Sequence, residues 1–67
     1  MNTFNDKYGV IINFKDGEQV LTKWHYFKHA KRAFEAYLAL NSLESAYITT
    51  YTKTRGFGQI IRRYDNL

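Results

Sequence analysis

The sequence has no cysteine and no proline. Without cysteine there is no disulfide framework, no thiolate nucleophile and no sulfur-ligated metal centre. Small secreted domains of this size are usually stapled by disulfides, so the expectation is a cytoplasmic protein. Without proline, no strand or helix is interrupted by a residue that lacks its N–H. Long apolar runs are also missing, and nothing approaches the roughly 20 apolar residues of a membrane-spanning helix. Met1 to Lys7 is polar and lacks the apolar stretch of a signal peptide. Acids are few, at six against ten Lys and Arg, for a net charge of +4. That balance favours an anionic partner: nucleic acid, an acidic protein face or an acidic membrane. The excess is far smaller than in dedicated DNA-packaging chains.

What the chain does have is aromatic mass. Six Tyr, five Phe and one Trp stand among 67 residues, and 45% of the chain is apolar. A domain this small buries a modest share of its surface, so large side chains must supply the core. The composition excludes a disordered chain and predicts one small folded domain spanning 1–67. A homodimer would add burial and is compatible with it.

Hydrophobic periodicity divides the chain into five elements. Tyr8 to Phe14 alternates as a strand, with Tyr8, Val10, Ile12 and Phe14 on one face. Gln19 to Tyr26 is a second strand, with Val20, Trp24 and Tyr26 on one face and both rings expected in the core. Lys15-Asp16-Gly17-Glu18 between them is a hairpin signal. A three-residue loop with Gly17 as a bulge pairs Ile12 with Val20, Val10 with Thr22 and Tyr8 with Trp24. A two-residue loop would set Lys23 opposite Val10, so the first register is preferred, because a one-residue slip turns a face inside out. Lys28 to Leu40 reads as a helix, with Ala30, Phe34, Tyr37, Leu38 and Phe27 inward and Lys28, Lys31, Arg32 and Glu35 outward. Asn41 marks its end as a left-handed cap. Ala46 to Lys53 and Gln59 to Tyr64 are two more strands. A turn at Arg55 and Gly56 pairs Tyr51 with Ile60 and Tyr47 with Tyr64, so those four residues share a face.

The order ββαββ predicts an α+β fold, a four-stranded antiparallel sheet with one helix packed on one face. The other face then has no second layer. A period of two does not say which face the helix covers.

The string Arg55-Gly56-Phe57-Gly58-Gln59-Ile60-Ile61-Arg62 resembles the octapeptide of RNA-recognition motif domains, basic-Gly-aromatic-Gly-aromatic-Val-x-aromatic. Arg55, Gly56, Phe57 and Gly58 match and Ile60 is close to the Val position, over eight of 67 residues. The resemblance implies base stacking on Phe57. Gln59 and Arg62 stand where that family has its other two aromatics. Read structurally, the same string is a Gly-containing hairpin turn.

Catalytic signatures are lacking. No Ser sits in a G-x-S-x-G elbow, and there is no P-loop or dinucleotide fingerprint. His25 and His29 offer two metal ligands without a third. The expectation is a non-enzyme with no cofactor and no metal.

The basic residues fall in two acid-free windows, Gln19 to Phe34 and Ser45 to Tyr64. Lys28, Lys31, Arg32, Lys53, Arg55, Arg62 and Arg63, with Phe57 and Tyr51 as stacking rings, form the expected binding surface. As a null alternative, such cations are a solvated face that keeps the chain soluble. In size and Asn/Lys/Tyr/Ile-rich composition the chain resembles small phage-encoded proteins that bind and inhibit host machinery. The expected function is therefore a small interaction protein that binds and modulates a host macromolecule. Its partner would be a host protein with an acidic or nucleic-acid-handling surface. The alternative is direct binding of RNA or single-stranded DNA. The helix needs its apolar side for the core, which argues against membrane docking.

Overall fold

Val10, Ile12, Ala46 and Ile48 are the residues on which the sheet closes, each at most 1% exposed. They belong to a computed structural model that describes residues 6–40 and 42–65. Its elements are β1 (Tyr8–Phe14), β2 (Gln19–Trp24), α1 (Phe27–Leu38), β3 (Leu43–Thr52) and β4 (Gly56–Asp65). The strands form one antiparallel sheet in the order β2-β1-β3-β4, and the single helix of the described residues packs on one side of it. This is the α+β architecture expected from the sequence.

The first hairpin follows from its turn. Gly17 sits at φ 96°, a conformation that costs other residues a steric penalty. The Phe14 N–H donates to the Glu18 carbonyl at 2.8 Å, and Asp16 Oδ1 accepts from the Glu18 N–H at 2.9 Å. This is the bulged three-residue loop, and it sets the expected pairs Ile12–Val20, Val10–Thr22 and Tyr8–Trp24. Tyr8, Val10, Ile12 and Phe14 therefore face one way and meet the helix.

The helix lies chiefly over β1 and β3 and less over β2. Ala30 and Phe34 are buried, with Phe27, Tyr37 and Leu38 packed around them. Edge-to-face contacts of Tyr8 on Phe27 (5.5 Å) and Phe14 on Tyr37 (6.3 Å) tie both ends of the helix to β1. Lys28, Lys31, Arg32 and Glu35 are exposed, as expected. The start of α1 is poorly capped: no side chain caps Tyr26, and the first turn holds no acid. Asn41, the expected cap, lies outside the described residues. The helix runs Phe27–Leu38, shifted toward the N-terminus from the expected 28–40. The second strand stops at Trp24, and Tyr26 is 52% exposed at the helix start instead of anchoring the core.

The second hairpin departs from expectation. Its loop is Lys53-Thr54-Arg55, with Gly56 at φ 75° closing it. Tyr51 pairs with Phe57, Thr49 with Ile60, Tyr47 with Arg63 and Ala46 with Tyr64. The expected pairs Tyr51–Ile60 and Tyr47–Tyr64 are not formed. The turn makes the difference: a three-residue loop centred on Thr54, in place of the expected Arg55-Gly56 turn, sets Tyr51 against Phe57, and the two register shifts in the ladder then narrow the offset, so that Tyr47 meets Arg63, the neighbour of the expected Tyr64. Among the described residues no helix is long and apolar enough to cross a membrane.

Candidate interaction surface

Because Val10, Ile12, Ala46 and Ile48 take the helix side, the intervening residues take the other. The register lays these out in rows across the four strands. Gln19, Asn13, Ser45 and Asp65 form one row, and Leu21, Ile11, Tyr47 and Arg63 the next. Lys23, Gly9, Thr49 and Ile60 form a third, followed by Tyr51 with Phe57. Among the described residues no helix covers this face.

The first row is a polar ladder. Gln19 Nε2 donates to Asn13 Oδ1 at 2.8 Å, and Asn13 Nδ2 donates to Ser45 Oγ at 2.9 Å. At its β4 end Arg63 Nε reaches Asp65 Oδ2 at 2.9 Å, and the Tyr47 hydroxyl donates to Asp65 Oδ1 at 3.3 Å. The second row is apolar, and Leu21 is 50% exposed; Ile60, in the third row, is 47% exposed. Large side chains left this open on a sheet face are a candidate contact surface.

The third row is organised around a missing side chain. Gly9 leaves a depression, and the Phe57 ring leans across β3 to fill it; a Cβ on Gly9 would collide with that ring. Thr49 lies beneath and is only 2% exposed although it faces away from the helix. Its Oγ1 has no hydrogen-bond partner. An unpaired buried hydroxyl costs about 1–3 kcal/mol, so the aromatic cover must offset it. Tyr51 meets Phe57 edge to face at 5.3 Å, and the Lys23 ammonium lies 5.0 Å from the Tyr51 ring.

The structure divides the expected binding residues into two groups. Tyr51, Phe57, Lys53, Arg55 and Arg63 belong to the open face and the turn at its end. Arg63 lies 6.0 Å from the Tyr47 ring. Arg62, its neighbour, pairs with Ile48 on the helix side and lies 5.5 Å from the Phe27 ring. Lys28, Lys31 and Arg32 stand with it on that side, and Lys28 lies 6.0 Å from the Tyr26 ring. Sequence reasoning left Lys23, Leu21, Tyr47 and Ile60 out of the surface. The first hairpin's register carried the signal for Lys23, because it sets Lys23 opposite Gly9.

Charge is segregated along the long axis of the molecule, which measures 43 Å. Lys7, Lys23, Lys28, Lys53 and Arg55 gather at the end holding the second turn and the helix start, with Asp6 beside them. Asp16, Glu18, Glu44 and Asp65 lie at the other end with Lys15. Lys28 sits in the first turn of α1, where the helix dipole disfavours a cation.

Two grooves accompany these features. One, of about 320 Å³, is lined by Asp6, Lys7, Tyr51, Thr52, Lys53 and Thr54. The other, of about 260 Å³, is lined by Trp24, His29, Arg32, Ala33 and Ala36. His25 and His29 both contact Tyr26, at 4.5 and 5.5 Å. Among the described residues no three potential metal ligands converge. No protein-family model, curated protein or solved structure matches the chain.

Proposed function

We propose that the chain is a small non-enzymatic interaction protein that binds, and so modulates or inhibits, a host macromolecule through the open sheet face. The occupant is an acidic protein surface with an apolar centre. The carrying observation is the row Leu21, Ile11, Tyr47 and Arg63, an uncovered apolar strip, with Ile60 beside it, Lys23 at one flank and Arg63 at the other. Protein interfaces combine an apolar centre with a polar rim, and a cationic rim selects an anionic counterpart. Asp65 and Arg63 neutralise each other in their ion pair, so the free charge beside the strip is that of Lys23.

A nucleic-acid reading draws on one observation, the grouping of Tyr51 and Phe57 with Lys23, Lys53 and Arg55 at one end. Against it, Phe57 already packs on Gly9, so its ring is committed to its own sheet.

The test has two arms. Fluorescence anisotropy with labelled single- and double-stranded DNA and RNA should show no binding at low salt; tight, steeply salt-dependent binding would transfer the function to nucleic acid. Capture from a nuclease-treated lysate should then be repeated with Lys23→Glu/Arg63→Glu and with Lys31→Glu. A genuine partner is lost by the first variant, kept by the second, and binds again when purified. Equal capture by both variants would reject the open face.

A further inference from the structure

The groove between β2 and α1 does not belong to the open face. Its helical wall is His29, Arg32, Ala33 and Ala36, spaced so that they form one stripe on α1. Ala33 is half-buried and Ala36 exposed, so small side chains leave the groove its room. The facing wall is Trp24, whose indole N–H is already satisfied by Thr22 Oγ1 at 2.8 Å. What remains of the indole toward the groove is apolar.

The strand beside this groove is an edge. Among the described residues β2 pairs only with β1. The Phe14 N–H bond to the Glu18 carbonyl sets the alternation of the ladder. Val20 and Thr22, the partners of Ile12 and Val10, turn their backbone groups toward β1. Leu21 and Lys23 then turn theirs outward, where an added strand would find donors and acceptors at strand spacing.

We propose that this edge and groove together bind an extended acidic segment of a partner protein by strand addition. The segment hydrogen-bonds to the backbone of Leu21 and Lys23. A small apolar side chain from it enters the groove against Trp24, Ala33 and Ala36, and the carboxylates that alternate with it fall on the other side of the added strand, beside Lys23. The commitment to an acidic segment rests on charge: Arg32 lines the groove, Lys23 stands on the other side of the same edge strand, and no acid lines the groove. A second copy of the chain would bring the same cations to the same place and is disfavoured by like charge. At about 260 Å³ the space suits one or two side chains and not a whole small molecule. The groove lies on the opposite side of the sheet from the open face; the two sites share Lys23 at the β2 edge, and Ala36→Phe and Tyr47→Ser tell them apart.

The probe is a blocked peptide of about eight alternating glutamate and valine residues, long enough to pair with β2. Trp24 is the chain's one tryptophan and reports on the groove directly. Titration should change Trp24 emission saturably and shift the amide resonances of Leu21 and Lys23. Methylating the peptide nitrogens on the pairing edge removes about two hydrogen bonds and should weaken binding roughly tenfold. Ala36→Phe, at an exposed helical site, fills the groove and should weaken it at least as much. Tyr47→Ser, on the open face, should leave it unchanged. Three results would overturn the proposal: shifts confined to β4, equal binding of the N-methylated peptide, or equal binding of a lysine–valine counterpart. Concentration-dependent dimerisation abolished by Ala36→Phe would show instead that a second copy fills the site.

Discussion

The two faces of the sheet alternate residue by residue along the same strands, yet they do different work. On the helix side, Val10, Ile12, Ala46 and Ile48 are sealed and carry the fold. On the other, Leu21 and Ile60 are about half exposed, and the best-covered residue, Thr49, is covered by a ring from its own sheet. The one helix of the described residues covers the side of Val10, Ile12, Ala46 and Ile48, and Lys23, Tyr47, Tyr51 and Arg63 fall on the side that meets solvent.

The difference can be broken most forcefully at the sealed face. Ile48→Ala removes packing that no neighbour can replace and should cost about 2–5 kcal/mol, read from the midpoint of denaturant unfolding. A loss below about 1 kcal/mol would mean that the core lies elsewhere.

On the open face the largest effect should come from Gly9. Gly9→Val puts a side chain where Phe57 lies and should destabilise by about 1–3 kcal/mol. The penalty should shrink in a Phe57→Ala background, giving a coupling energy in a double-mutant cycle. Additive losses would show that the ring does not rest on Gly9.

The strip itself should be nearly silent in stability. Tyr47→Ser or Leu21→Thr should shift unfolding by no more than about 0.5–1 kcal/mol while partner capture falls. Large destabilisation without loss of capture would reverse the roles assigned to the two faces.

The smallest effect has an informative sign. Lys28→Glu should raise stability by about 0.3–1 kcal/mol at low salt, because it replaces a cation by an anion in the uncapped first turn of α1. The gain should fade as salt is added. A net loss would indicate that the contact of Lys28 with the Tyr26 ring outweighs the dipole.

The register of the first hairpin was legible and that of the second was not, for a physical reason. In β1 and β2 the apolar residues alternate with Gly9, Asn13, Gln19 and Lys23, and the Gly17 turn sets the register. In β3, Tyr47 to Tyr51 offers no contrast between faces, since Tyr, Ile and Thr all suit a strand. Gly56, read as part of a two-residue turn, instead closes a three-residue loop, and the bulges of β4 have no local sign in Gln59-Ile60-Ile61. The choice of face was decided by packing, where Ala46 and Ala30 leave room for the helix to approach. The basic residues were found as a set, but their division between sides was not, because Arg62 and Arg63 are adjacent in sequence and opposite in space. The folding of Phe57 onto Gly9 joins residues far apart in the chain and could not be read from either one.

The account turns on one strand face standing open while its reverse is sealed. Adding a soluble gadolinium chelate to the free protein and following methyl resonances measures this directly. Leu21 and Ile60 should broaden strongly while Val10, Ile12 and Ile48 stay sharp. Protection of Leu21 and Ile60 equal to that of Ile48 would show that the face is already covered, and would contradict the surface proposed for binding.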